Sequence, residues 1–145
     1  MIPAVESKFS TYAENVTEEG LEASRDHRGF GGFSMGSVNT WNTFRYCLDY
    51  FRYFMPMSGS YSTDGQYMAD LVRQQGYGSD DFFIFSASGT NDFAYHAFKA
   101  QIMAMAQDSD GMFRFANNER EGYEHDQKAC DEYTYNGLRF FWNAQ

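Results

Sequence analysis

Hydrophobic positions along the chain fall into two rhythms. From residue 37 to about 51, Val38, Trp41, Phe44, Leu48 and Phe51 recur at steps of three and four, which predicts an amphipathic helix. The same spacing recurs with Met68, Leu71 and Val72 over 65–75, where Gly76-Tyr77-Gly78 stops it. Ala94, Phe98, Ile102 and Met105 mark a third helix over 94–107, closed by Asp108-Ser109-Asp110-Gly111. Cys130, Tyr133, Gly137 and Phe141 mark a last one over 127–142. Between these lie short apolar runs that read as strands: 28–33, 52–57, 82–85 and 112–116. Phe82-Phe83-Ile84-Phe85 is the strongest of them, bounded by Asp80-Asp81 and Ser88-Gly89. The glycine-punctuated run 28–33 suits a buried strand whose backbone is closely approached. Residues 1–9 read as the end of a helix, and the polar, acidic stretch 10–27 as a surface loop.

Strand and helix therefore alternate four times. That order implies right-handed crossovers and a mostly parallel sheet of about four strands with flanking helices, an α/β architecture. At 145 residues the chain makes a single domain. In such sheets the chemistry gathers at the carboxyl ends of the strands.

Composition narrows the function classes. Eleven basic against twenty acidic residues give a net charge of −9, which argues against a nucleic-acid binder and for a neutral or weakly charged substrate. With 19% aromatic residues and 43% hydrophobic ones the chain has enough to fill a core, and no apolar run approaches the ~20 residues of a membrane span. The two cysteines, Cys47 and Cys130, are too few for a disulfide framework and are expected to be buried small apolar residues. Three histidines without paired spacing predict no metal site, and no cofactor motif is evident. Asn15-Val16-Thr17 is a glycosylation sequon, meaningful only on a eukaryotic secretory route.

The first strand runs into Gly32-Phe33-Ser34-Met35-Gly36, a G-x-S-x-G pattern. Alone the pattern is weak; between a strand and a helix it becomes a nucleophile elbow. There a serine occupies a strained turn, flanking glycines let the neighbouring backbone pass, and the N–H of Met35 faces a developing oxyanion at a helix N-terminus. A serine nucleophile needs a base, and the base an orienting acid. Asp92, in Ser88-Gly89-Thr90-Asn91-Asp92, follows the strongest strand. His125, in Glu121-Gly122-Tyr123-Glu124-His125-Asp126, precedes the last helix. The chain order Ser34, Asp92, His125 is the order this fold class uses. Blander readings stand beside these: Asp92 as a helix N-cap and His125 as an exposed loop histidine. His96, inside a helix, reads as a surface or packing residue, and His27 as a residue fixing entry to the first strand. Tyr61, Tyr67 and Tyr95 are candidates for an aromatic-acid pocket, although abundant tyrosines more often pack.

Taken together, "IPAVESKFSTYAE", "DHRGFGGFSMG", "FMPMSG", "SGTND" and "GYEHD" resemble the C-terminal half of α/β-hydrolase esterases of carbohydrate esterase family 1, the feruloyl and acetylxylan esterases with relatives such as esterase D. The resemblance runs over nearly the whole chain. It implies a partial α/β-hydrolase domain over 1–145, with 28–145 as the catalytic-half β/α units. It also implies a serine esterase without metal or cofactor, secreted by analogy with the family, that releases feruloyl or acetyl groups from plant cell-wall xylan. In that scheme Ser34 is the nucleophile, Asp92 the orienting acid, His125 the base and the Met35 N–H one oxyanion donor. Ser37 stands where relatives often carry a second glycine. The resemblance leaves the N-terminal strands and a second oxyanion donor to an upstream half, so the strand at 28–33 is expected to form a sheet edge open to self-association or to pairing with that half. Two alternatives stay open: an inactive or binding remnant, and another acyl hydrolase such as a thioesterase or peptidase.

Overall fold

The computed structural model describes residues 1–143. Four strands, β1 (Gly29–Phe33), β2 (Tyr53–Met57), β3 (Phe83–Gly89) and β4 (Phe115–Arg120), form one parallel sheet in the order β1-β2-β3-β4. Six helices accompany them: α1 (Ile2–Glu6), α2 (Glu18–Ala23), α3 (Met35–Tyr46), α4 (Gly65–Gln74), α5 (Tyr95–Gln107) and α6 (Gln127–Leu138).

Strand order that never reverses has a geometric consequence. If each crossover is right-handed, successive connecting helices must lie on the same face of the sheet. The two cores show this. On one face Trp41, Phe44 and Leu48 join Met68, Leu71 and Val72 of α4 and Phe98, Ile102 and Met105 of α5, over Phe54 and Ile84 of the sheet. On the other, α6 lays Ala129 and Tyr133 against Tyr53, Met55, Met57, Phe85 and Ala87. The alternation of Tyr53, Met55 and Met57 with Phe54 is the period-two pleat of a strand buried on both faces. Phe44 is the hub of the first core, with Phe54 at 5.0 Å and Phe82 at 5.1 Å, both edge to face.

Several boundaries differ from the sequence reading. The stretch 10–27 is not all loop: Thr17 caps α2 by accepting the Gly20 N–H at 3.2 Å, and Glu18 and Glu19 in the first turn suit the positive end of the helix. A one-turn 3-10 segment, Arg25–His27, follows. α3 ends at Tyr46, although Leu48 keeps the apolar rhythm and is fully buried; Gln75 takes over its backbone, accepting the Leu48 N–H at 3.1 Å. β4 lies three residues later than the apolar run suggested, because it is an edge strand and its sequence Phe-Ala-Asn-Asn-Glu-Arg is mostly polar. α6 ends at Leu138, earlier than 142. β1 is a half-exposed edge rather than a buried strand, paired only with β2 among the described residues. Cys47 and Cys130 are half-buried free thiols. No helix among the described residues is long and apolar enough to cross a membrane.

Candidate active site

All the strands point the same way, so their carboxyl ends share one edge of the sheet, and the loops leaving it carry Ser34, Asp92 and His125. Ser34 directly follows β1 and precedes α3. Its backbone sits at φ 60°, ψ −117°, in the left-handed half of the map that a side chain avoids. Such a residue costs of order 1–3 kcal/mol and persists only where its surroundings impose it. Here the Ser34 N–H donates to Met57 O at 2.9 Å, extending the β1–β2 ladder by one bond before the chain turns sharply into α3. Gly32 is what lets the turn close: a Cβ there would lie 2.5–2.7 Å from the backbone of Gly36. Gly36 has no such constraint, since a Cβ on it meets nothing within 4 Å. Of the two motif glycines, contact requires only the first.

Behind the elbow, the loop after β2 is locked in place. The Gly59 carbonyl accepts from Ser37 Oγ at 2.7 Å and from Trp41 Nε1 at 2.9 Å, so two α3 side chains hold it. A Cβ on Gly59 would sit 2.4 Å from Ser34 O. Ser37 therefore has a bonding role. The fully buried Gln101 of α5 grips the next residues, its Oε1 accepting the Tyr61 and Ser62 N–H groups at 2.5 and 3.1 Å.

The loops carrying Asp92 and His125 are joined through their backbones. Thr90 N–H donates to Arg120 O at 3.0 Å and Asn91 N–H to Tyr123 O at 3.1 Å; Gly122 N–H returns to Thr90 Oγ1 at 2.9 Å. Gly89 is indispensable to this approach, for a Cβ on it would fall 2.2 Å from Tyr123 O. On that platform His125 Nδ1 meets both Asp92 oxygens, at 2.9 and 2.8 Å. The Asp92 side chain is wholly buried, and that of His125 is 18% exposed. Asp92 Oδ1 also accepts the Ala94 N–H at 2.8 Å, though Ala94 rather than Asp92 is the cap residue of α5. Asp126, next to His125, caps α6 by accepting the Ala129 N–H at 2.8 Å, which fixes where the histidine loop ends.

Ser34 and His125 share a neighbourhood: Phe33, adjacent to Ser34, packs its ring on the imidazole with centroids 4.4 Å apart. Among the described residues no hydrogen bond joins Ser34 Oγ to His125. Catalytic bonds of this type are often long until the reacting complex forms. Met35, at the head of α3, is 70% exposed. The other candidates lie apart. His96 is exposed on α5, and His27 is exposed and stacked on Tyr12 at 3.8 Å. Tyr95 is buried and takes a hydrogen bond from Lys99, while Tyr61 and Tyr67 bond each other at 3.3 Å and Tyr61 takes another from Arg45. Burial, with Asp92 nearby, pushes the Tyr133 hydroxyl up to about 12. Among the described residues no group of three or more His, Cys, Asp or Glu side chains is placed to hold a metal. Neither Phe93 nor Gln101 is singled out in the sequence, and Trp41 reads there only as a core position of a helix; the place of Phe93 beside Asp92 is the one signal that points to it.

No protein-family model matches the chain. A serine-to-alanine mutant of the feruloyl esterase module from Clostridium thermocellum, solved in complex with sinapinate, matches 99% of this chain at 38% identity and a TM-score of 0.88, with 55% of that chain covered. Endo-1,4-beta-xylanase Y of Acetivibrio thermocellus is 46% identical over 111 residues, 72% of this chain and 10% of that protein. A carbohydrate esterase family 1 ferulic acid esterase from the anaerobic fungus Anaeromyces mucronatus shares the fold at a TM-score of 0.69 and 17% identity, over 99% of this chain and 50% of its own. The chain thus spans about half the length of the solved esterases it matches.

Proposed function

From the likeness of this α/β-hydrolase chain to feruloyl esterase modules of carbohydrate esterase family 1, we propose that it carries the catalytic half of a serine esterase acting on feruloyl or acetyl esters of plant cell-wall xylan. The observation that carries the reading is the elbow backbone of Ser34 set at the same sheet edge as the bonded Asp92–His125 pair. Ser34 Oγ attacks the ester carbonyl while His125, through its Nε2, takes the hydroxyl proton. Asp92 holds the Nδ1 proton and so keeps Nε2 free to act as base. The Met35 N–H, at the positive end of the twelve-residue α3, stabilises the oxyanion. Collapse of the tetrahedral intermediate transfers the Nε2 proton to the departing sugar oxygen and leaves acyl-Ser34. Water, deprotonated by the same imidazole, then releases the acid and returns the proton to Ser34. The half-exposed β1 edge, with three glycines and no Pro or Lys to guard it, favours pairing with a further strand, whether from an N-terminal half or a second copy. An extracellular location accords with the xylanase relative.

The test is labelling by a fluorophosphonate, with aryl-ester hydrolysis measured alongside. Modification of Ser34, abolished in Ser34→Ala together with hydrolysis, is the expected result. A folded protein that neither reacts at Ser34 nor hydrolyses feruloyl or acetyl esters overturns the reading.

A further inference from the structure

The mechanism above uses the two ring nitrogens of His125 and leaves its faces unaccounted for. Those faces are occupied. The Phe33 ring lies with its centroid 4.4 Å from that of the imidazole at an interplanar angle of 34°, and the Phe93 ring at 4.3 Å and 40°. The two phenyl rings do not pair with each other among the described residues, so they approach the imidazole from different sides.

Phe93 is 80% exposed, more than any other aromatic residue among the described ones, and it follows the buried Asp92. An exposed phenylalanine gains little from burial, so its placement against one ring needs another reason. The covalent arrangement supplies it. Phe33, the last residue of β1, precedes Ser34, and Phe93 follows Asp92, so the segments that present the nucleophile and the acid each also send one ring to the base.

We infer that Phe33 and Phe93 are positioning residues that clamp the His125 imidazole in the plane where Nδ1 faces Asp92 and Nε2 faces Ser34. The inference rests on the esterase reading for its purpose, and on geometry for its existence. The Asp92 carboxylate grips a single ring atom, and the terminal torsion of a histidine is broad and roughly two-fold. A hydrogen bond at one atom therefore directs the ring without fixing its plane. Aromatic contacts on both sides remove that freedom. Misplacement of a catalytic group by about 1 Å is enough to cost ~10² in rate.

Two readouts on the same variants test this, one independent of turnover. In wild type the Nδ1–H proton of His125 gives a downfield resonance in slow exchange with water. Phe93→Ala loses or broadens that resonance, and Phe93→Trp retains it. For a small acetyl ester with no aromatic group, Phe93→Ala lowers kcat about tenfold with KM within about twofold, and Phe93→Trp restores it. Retention of the resonance and of kcat in Phe93→Ala overturns the clamp. A change confined to KM also overturns it, because Phe93 would then be a substrate contact. If wild type hydrolyses no ester while the resonance behaves as stated, the esterase reading fails and the clamp stands.

Discussion

Replacing Asp92 by Asn tests the site through one proton. The substitution keeps shape and size but exchanges one carboxylate oxygen for an NH2 group. The structure decides which one. Oδ1 already accepts the Ala94 N–H at 2.8 Å, an acceptor role that only the amide oxygen can keep. The NH2 group must therefore take the place of Oδ2, 2.8 Å from His125 Nδ1. Oδ1, 2.9 Å from Nδ1, is already engaged by the Ala94 N–H, so we expect the imidazole to accept from the NH2 group and to carry its hydrogen on Nε2. The base is then present but in the wrong tautomer. The corresponding change in a serine-protease triad lowers kcat by ~10⁴, about 5.5 kcal/mol of barrier at 1.36 kcal/mol per tenfold. We expect Asp92→Asn to show that scale of loss in steady-state hydrolysis of an aryl ester with a melting curve close to wild type, since the Ala94 bond survives. Nitrogen NMR of His125 reports the tautomer directly. A variant that retains kcat within tenfold, or whose His125 still bears its proton on Nδ1, would refute this reasoning.

Two more predictions concern stability. Tyr133 is fully buried, and its hydroxyl has no hydrogen-bond partner among the described residues; removing it by Tyr133→Phe should leave stability unchanged or raise it by about 1 kcal/mol, and a clear fall in denaturant midpoint would show that the hydroxyl is satisfied. The Tyr77 hydroxyl is pushed up to about 12, by burial first and then by its 2.7 Å bond to Asp49. An unfolded tyrosine ionises near 10, so the folded state holds this proton longer. Stability from Tyr77 is accordingly complete below about pH 10 and lost as pH rises toward about 12. Tyr77→Phe should flatten the alkaline limb of a stability-against-pH curve, and an unchanged limb would exclude Tyr77 as its source.

How far the sequence reveals this molecule depends on which interaction dictates each element. β2 was legible because a strand covered on both faces is apolar throughout, as in Tyr53–Met57; of β3, which runs to Gly89, the apolar run 82–85 showed only the first part, since Ser86, Ser88 and Gly89 carry no such signal. α4 was legible because one face is buried and the other solvated, which prints the helical period in Met68, Leu71 and Val72. β4 was misplaced for the opposite reason: what makes it a strand is its backbone ladder to β3, to which Asn117, Asn118 and Glu119 contribute no apolar signal. α2 escaped notice because its first turn is held by a cap and charges rather than by a hydrophobic stripe. At the site, Ser34 stood out through its glycines and strand-helix setting, and Asp92 and His125 through their loops. The grip of Trp41 and Ser37 on Gly59, and the contact of Phe93 with His125, join residues whose closeness no local pattern encodes.

The backbone bonds between the Asp92 and His125 loops also set the mechanical freedom of the site. Thr90, Asn91 and Gly122 bind the two loops main chain to main chain or through one short side chain, and Gly89 brings them into contact. Asp92 and His125 therefore ride as one body. Ser34 rides on another, anchored to β2 through Met57 and wedged against Gly59. Among the three groups, the coordinate left soft is the gap between Ser34 and His125. Any breathing of the sheet edge thus alters the proton's path from serine to histidine while the Asp92–His125 bond is kept. A substrate that draws those two bodies together would tune its own reaction rate, and one that props them apart would bind without being cleaved.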